Sequence, residues 1–167
     1  MIEAIKEFLT NTLGAQLGVL LCAVLPVIEL RGAIPLGAAL SLPWWQSFFF
    51  AVVGNMLPVP FILLFVKKII LFATGCKIKP LQRFGCWLTA KAEKNRERIE
   101  KYSFWGVCLF VAIPLPMTGA WTGSLVAATI GMKFHKALLS AFIGVLLAGT
   151  VMTLAAYGVV AAFQFFA

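Results

Sequence analysis

The sequence predicts an all-α integral membrane fold: two re-entrant helical hairpins plus two long transmembrane helices, arranged as an inverted-topology repeat. Three observations lead there. Of 167 residues, 62% are hydrophobic and none is aspartate, a composition that belongs to membrane proteins. Two apolar stretches are long enough to cross a bilayer, while two others are cut in half by prolines and polar residues. The positive charge is concentrated in the middle of the chain: residues 67–101 hold ten Lys/Arg against three Glu, whereas residues 1–66 sum to −1 and 102–167 to +2.

Met1–Asn11 carries Glu3 and Glu7 and has no basic leader, so it does not read as a secretory signal. Ile2, Ile5, Phe8 and Leu9 share one helical face, opposite Glu3, Lys6, Glu7 and Thr10. That pattern predicts a short helix lying in the membrane interface. The first broken stretch follows. Leu13–Leu25 is apolar up to Pro26, enough for roughly 20 Å of helix and too short to span. The chain is then expected to turn through Glu29–Gly32 and to return, from Gly32-Ala33, only as far as Leu42.

Trp44–Ile70 is the first long span, expected to kink where Pro58 and Pro60 each lack a backbone donor. The basic segment 71–103 reads as a helical, partly surface-bound loop. Phe84, Trp87 and Leu88 suit the headgroup layer, and Glu93 with Arg96 and Glu97 with Lys101 pair at helical spacing. The second broken stretch, Phe104–Ile113, stops at Pro114-Leu115-Pro116 and resumes from Ala120 to Gly131. Phe134–Phe166 is the second long span, with Gly144, Gly149 and Gly158 as close-packing notches.

Basic loops stay on the cytoplasmic side. With 71–103 inside, the first hairpin enters from outside, the second enters from inside, and Lys133 and Lys136 sit at an inside boundary. Both termini are then outside. One membrane domain results, with repeat 1 over 13–70 and repeat 2 over 104–166 in opposite orientation, an architecture common among secondary transporters. Aligning Gly32-Ala33 with Gly119-Ala120 brings both tips and both spans into correspondence. The rival arrangement is four ordinary spans with both termini inside.

Several function classes fall away. Charge gathered in a membrane loop sets topology, so no nucleic-acid partner is expected. Cys22, Cys76, Cys86 and Cys108 lack zinc spacing, and neither a disulfide, a metal nor another cofactor is expected. The single histidine, His135, stands between Lys133 and Lys136 at a span boundary, and no nucleophile–base constellation for an enzyme appears.

The remaining chemistry lies at the broken tips. Charges within hydrocarbon are costly and usually mark a pathway, and Pro26-Val27-Ile28-Glu29-Leu30-Arg31-Gly32-Ala33-Ile34-Pro35 contains one of each sign. On a regular helix Glu29 and Arg31 would point to different faces; at an unwound tip both can face one cavity. One reading pairs them, with each other or with free backbone carbonyls, simply to hold the tip. The other makes Glu29 the proton-coupling group, because withdrawal from water changes how readily a carboxyl group holds its proton. Arg31 then offers a planar fork to an anion.

Helix N-termini at Gly32 and Gly119 favour an anion as well. Asn55, Thr118, Thr122 and Ser124 are candidate cavity-lining groups, Trp121 an aromatic wall or a packing residue. Pro26, Pro35, Pro114 and Pro116 mark the hairpin tips.

Three segments carry a family resemblance: Glu-Leu-Arg-Gly-Ala-Ile-Pro-Leu-Gly at 29–37, Gly-Asn-x-x-Pro-Val-Pro at 54–60, and Ala-Ile-Pro-Leu-Pro-x-Thr-Gly-Ala-Trp-Thr-Gly at 112–123. They resemble the bacterial and archaeal small multidrug export proteins and, more distantly, are similar to the DedA superfamily of lipid carriers and scramblases. The resemblance implies a prokaryotic cytoplasmic membrane and paired inverted hairpins. It also implies that Glu29 is the acidic residue of the first. DedA proteins show arginines in the second hairpin; here only Pro114, Pro116, Thr118 and Gly119 stand there, which argues against a strongly anionic phosphate substrate.

The expected function is a proton-linked transporter or flippase for an amphipathic or lipid-like substrate, an anionic one included. Its partners are membrane lipids, that substrate and, plausibly, a second copy in a homodimer. Efflux of hydrophobic cationic drugs and passive scrambling or channel activity are the alternatives.

Overall fold

The computed structural model describes residues 14–75, 96–113 and 119–166. Among them the chain is helical throughout: α1 (Gly14–Val24), α2 (Glu29–Ala39), α3 (Trp44–Met56), α4 (Pro58–Gly75), α5 (Arg96–Ala112), α6 (Ala120–Thr129) and α7 (Phe134–Phe166). The expected amphipathic segment 1–11, most of the basic loop with Cys76 and Cys86, and Pro114, Pro116 and Thr118 lie outside the described residues.

Two helices are long and apolar enough to cross a membrane: Trp44–Val66, formed by α3 and the first part of α4, and Phe134–Val159 within α7. Pro58 opens α4 directly after Leu57, whose own N–H still reaches Val53 O at 3.0 Å. The prolines thus interrupt the ladder without turning the chain, as their missing donors predict.

α1 stops because Pro26 disfavours helical backbone at the preceding residue. A single hydrogen-bonded turn, Leu25–Ile28, links it to α2; Glu29 N donates to Leu25 O at 2.9 Å. The reversal therefore lies at Leu25–Ile28 rather than at Glu29–Gly32, which is already helical. Gly32 makes that tight start possible, since a Cβ there would strike the Ile28 side chain. Glu29 itself has φ 51°, a left-handed value that costs a side-chain-bearing residue about 1–2 kcal/mol. Pro35 is correspondingly inside α2, not at the tip, while Pro26 is exposed in the turn.

The end of α2 and the end of α6 are built alike. Ser41 (φ 59°) donates to Ala38 O and Leu42 to Gly37 O, both at 3.0 Å; Gly131 (φ 79°) donates to Ala128 O and Met132 to Ala127 O, both at 3.1 Å. Each is a Schellman cap with its left-handed residue in place. Each is followed after two residues by the start of a long span, at Trp44 and at Phe134.

The two turns and the two span starts are thus each separated by 90 residues (41 to 131, 44 to 134). The same interval pairs Gly54 with Gly144, and both are notches. A Cβ at Gly54 would collide with Leu20 O and Ala23 of α1; one at Gly144 would meet Cys108 O and Val111 of α5, each at 2.7 Å. This register sets Gly119 opposite Glu29, not opposite Gly32.

The core between these units is small-residue and valine rich. Val19, Leu30, Ile34, Val59, Val111 and Val145 are fully enclosed. Gly149 of α7 takes in Phe48 and Leu30. Polar ties cross the helix pairs: Ser140 Oγ donates to Phe104 O at 2.5 Å, Gln16 to Gln46 at 3.1 Å, and Tyr157 OH to Leu42 O at 2.8 Å. The outward faces carry Phe61, Phe65, Phe72, Trp105 and Leu154 exposed, as lipid-facing surfaces do. α5 runs unbroken from Arg96, so the entering arm of the second helix pair reaches into the basic segment.

Replacing either notch glycine tests this packing. Gly54→Ala and Gly144→Ala should each destabilise the detergent-solubilised protein by about 1–3 kcal/mol through overpacking. Gly106→Ala, where a Cβ meets nothing within 4 Å, should leave the thermal midpoint unchanged or raise it slightly.

Candidate functional site

A helix start leaves backbone N–H groups without partners and a helix end leaves carbonyls. Where helices break inside apolar surroundings, water is not there to satisfy them. The two helix pairs meet this requirement by capping one another. Glu29, only 6% exposed, places its carboxylate against Gly119 and accepts the backbone N–H of Trp121. Gly119 is the N-cap of α6, extended at φ −88° and ψ −166°, with no side chain of its own to serve the first turn. The carboxylate fills that role from the neighbouring pair, at the end of α6 that favours negative charge.

Arg31, two residues on, reaches the opposite kind of end. Its Nη2 donates to Ile113 O at 3.3 Å, the carbonyl just past α5, where a helix end favours a cation. The third contact runs back: Trp121 Nε1 donates to Val24 O at 3.1 Å, the last residue of α1. In each direction, a residue in the first turn of a returning helix holds the carbonyl end of the other pair's entering helix. Arg31 and Trp121 also stand 90 residues apart.

The spacing rule that an unwound tip would have suspended is therefore in force. Glu29 and Arg31 both lie in the first turn of α2 and reach two different helix ends, while their opposite charges still act on one another. Gly119 joins the site by having no side chain: a Cβ would occupy the place of the Glu29 carboxyl. Trp121, expected as a wall or packing residue, is a donor as well. The sequence signal that would have found this role is its spacing from Arg31.

The other expected residues take separate places. Gly32 serves the turn into α2. Thr122 is half-buried in the first turn of α6, and Ser124 is buried and bonds back to Ala120 O at 2.6 Å. Asn55, fully enclosed in the last turn of α3, has neither amide atom hydrogen-bonded, and no hydrogen bond ties it to Glu29 or Arg31. Cys22 and Cys108 are free thiols, and among the described residues no three His, Cys, Asp or Glu gather where a metal ion could sit.

The clasp predicts a strong coupling between positions 29 and 119. Gly119→Ala should destabilise the protein by about 2 kcal/mol, through the displaced carboxyl and the uncapped helix start. In the Glu29→Ala background the same substitution should cost far less. A double-mutant cycle in thermal melts of the solubilised protein reads the difference; additive effects would mean that the two residues do not touch.

No curated protein and no solved structure matches the chain. A family model described as "Putative small multi-drug export protein" matches residues 29–151, beginning at Glu29 and extending through the clasp into α7. The chain belongs to the small multi-drug export protein family, whose name describes a transporter kind, and it carries two helices long and apolar enough to cross a membrane.

Proposed function

We propose that the protein is a small proton-linked secondary transporter of the cytoplasmic membrane that moves an amphipathic or lipid-like substrate, with Glu29 as its proton-exchanging group. The observation that carries this reading is the carboxylate of Glu29 seated on the N-terminus of α6. Charged, it satisfies the backbone amides there. Neutralised by a proton, it loses the favourable interaction with the helix end, and the α6 amides and Arg31 are left to attract an anionic or strongly dipolar head group. A proton and an anion then occupy the site together and travel together. A cationic substrate would act in the opposite sense, drawing the charged carboxylate away from α6 and exchanging against the proton.

An inverted repeat with re-entrant hairpins supplies the moving parts. Four matched features favour it: the paired Schellman caps, the span starts, the notch glycines, and the Arg31–Trp121 correspondence. α1 and α2 have 11 residues each and α6 has 10, about 15–17 Å of helix and half a bilayer. With the basic segment on the cytoplasmic side, the two helix pairs enter from opposite faces, and rocking one half against the other opens the clasp to either side. A homodimer remains compatible with the broad apolar outer faces.

Liposomes loaded with a pH-sensitive dye test the reading. Substrate-evoked proton flux is compared for a polyprenyl phosphate and a lipophilic cation, in the intact protein, Glu29→Gln and Arg31→Gln. Glu29→Gln should reduce flux at least tenfold with the active substrate, and Arg31→Gln should depress the anionic arm more than the cationic one. Proton movement in the same direction as the anion supports the first mechanism; movement against the cation supports drug efflux. Substrate transfer that persists without any proton flux, and is indifferent to Glu29→Gln, would identify a passive scramblase and overturn the coupled reading.

A further inference from the structure

Ser47, Leu42 and Tyr157 make a second polar bridge between α7 and the first helix pair, at the opposite end of α2 from the clasp. The hydroxyl of Tyr157 donates its one proton to Leu42 O at 2.8 Å, so Ser47 Oγ, 2.6 Å away, donates to the tyrosine oxygen. Ser47 is fully enclosed, and a Cβ at Gly37 would strike it. Its hydroxyl also breaks a local habit. A helical Ser or Thr usually bonds back to the carbonyl four residues earlier, as Ser124, Thr129 and Thr150 do at 2.6, 2.7 and 2.9 Å. For Ser47 that carbonyl is Pro43 O, which already takes the backbone N–H groups of Gln46 and Ser47, and the side chain reaches across to α7 instead. Leu42 is a firm anchor, because its own N–H closes the Schellman cap on Gly37 O. The 11 residues of α2 separate this bridge from Glu29, about 16 Å of helix.

The bridge is one-sided. Ninety residues on, Gly37, Leu42 and Ser47 correspond to Ala127, Met132 and Ala137, while Tyr157 corresponds to Lys67. Ala127 and Ala137 are buried as their counterparts are, so the scaffold packs there without a hydroxyl. A serine–tyrosine pair that packing does not need, at one end of a molecule whose two ends otherwise correspond, points to a role in which the ends differ. For a transporter, they differ in which one is closed.

We infer that the Ser47–Tyr157–Leu42 bridge latches the outer gate of the transporter: it holds α7 against the α2–α3 turn while that end is closed, and it parts in the same motion that lifts Glu29 from α6. With the basic segment on the cytoplasmic side, Trp44 and Tyr157 stand at the outer end. Rocking one half against the other separates α7 from α2 and α3, and the bridge lies across that seam. Hydroxyl bonds suit a gate, being strong enough to favour closure and weak enough to break in every cycle. The inference rests on the proposed rocking motion and is independent of proton coupling.

Hydrogen exchange of the full chain in lipid nanodiscs, read by mass spectrometry without substrate or pH gradient, tests it. In Tyr157→Phe, exchange at Ser41 and Leu42 should rise about threefold to tenfold, the net worth of one hydrogen bond once Ser47 turns back to Pro43 O. A similar rise should appear at Trp121, whose N–H is held by the Glu29 carboxylate, and none at Gly131 and Met132 of the matching inner cap. Glu29→Gln should in turn raise exchange at Ser41 and Leu42, with the length of α2 between them. Ser47→Ala leaves the Tyr157–Leu42 bond in place and should give the same pattern at smaller amplitude; it carries the test if Tyr157→Phe does not fold.

A rise confined to Ser41 and Leu42 would reduce the bridge to a local brace and overturn the gate. An equal rise at both caps, the sign of general loosening, would overturn it as well, as would no rise at all. Proton flux measured in the same variants keeps the two readings apart. Absent flux with the full exchange pattern rejects coupling and keeps the latch, whereas coupled flux with exchange confined to the outer cap rejects the latch alone.

Discussion

Helices that end within an apolar interior carry a debt of unmatched amides and carbonyls, and in this protein two helix pairs settle it for each other. Glu29 serves the start of α6, Arg31 the end of α5, and Trp121 the end of α1. Neither pair could be stable in hydrocarbon alone with those groups exposed. The rest follows from bringing the tips together. The notch glycines at 54 and 144 let each entering helix lie close to its long span, and the Schellman caps reverse the chain in two residues so that each span starts beside its own pair.

The arrangement also explains why charge is tolerated at this depth. A carboxylate at a helix start and a guanidinium at a helix end each meet a complementary partial charge. The ion pair that the sequence invites, Glu29 with Arg31, is therefore not required to make either residue acceptable. Their two-residue spacing works in favour of the structure, since it sends one side chain to each of two helix ends.

Much of the fold was legible because it rests on long-range composition. The span starts at Trp44 and Phe134, the interruption of the helix at Pro58, and the breaks after Leu25 and Ile113 all follow from apolar length and proline chemistry. Glu29 stood out as a charge in the wrong solvent. What stayed hidden depends on one-residue detail. Pro35 looks like a tip residue but is tolerated inside α2, and aligning Gly32-Ala33 with Gly119-Ala120 sets the halves three residues off the 90-residue register. Gly119 could be read as an anion-favouring helix start, but not as a vacancy shaped for a side chain 90 residues away. The Schellman cap at Ser41 was similarly masked, because serine does not advertise a left-handed turn as Gly131 does.

Glu29 is held not only by its side chain but in its backbone, at a φ of 51° that a non-glycine residue adopts at some expense. The contact with α6 and the turn's own bond from Glu29 N to Leu25 O meet at this one residue. In the proposed cycle, a carboxylate leaving Gly119 would remove one of the contacts that hold this strained main chain, so unlatching would be assisted by its relaxation. On that reading the closed and released forms of this tip would differ in peptide orientation as well as in charge, with part of the work of opening stored in the closed form.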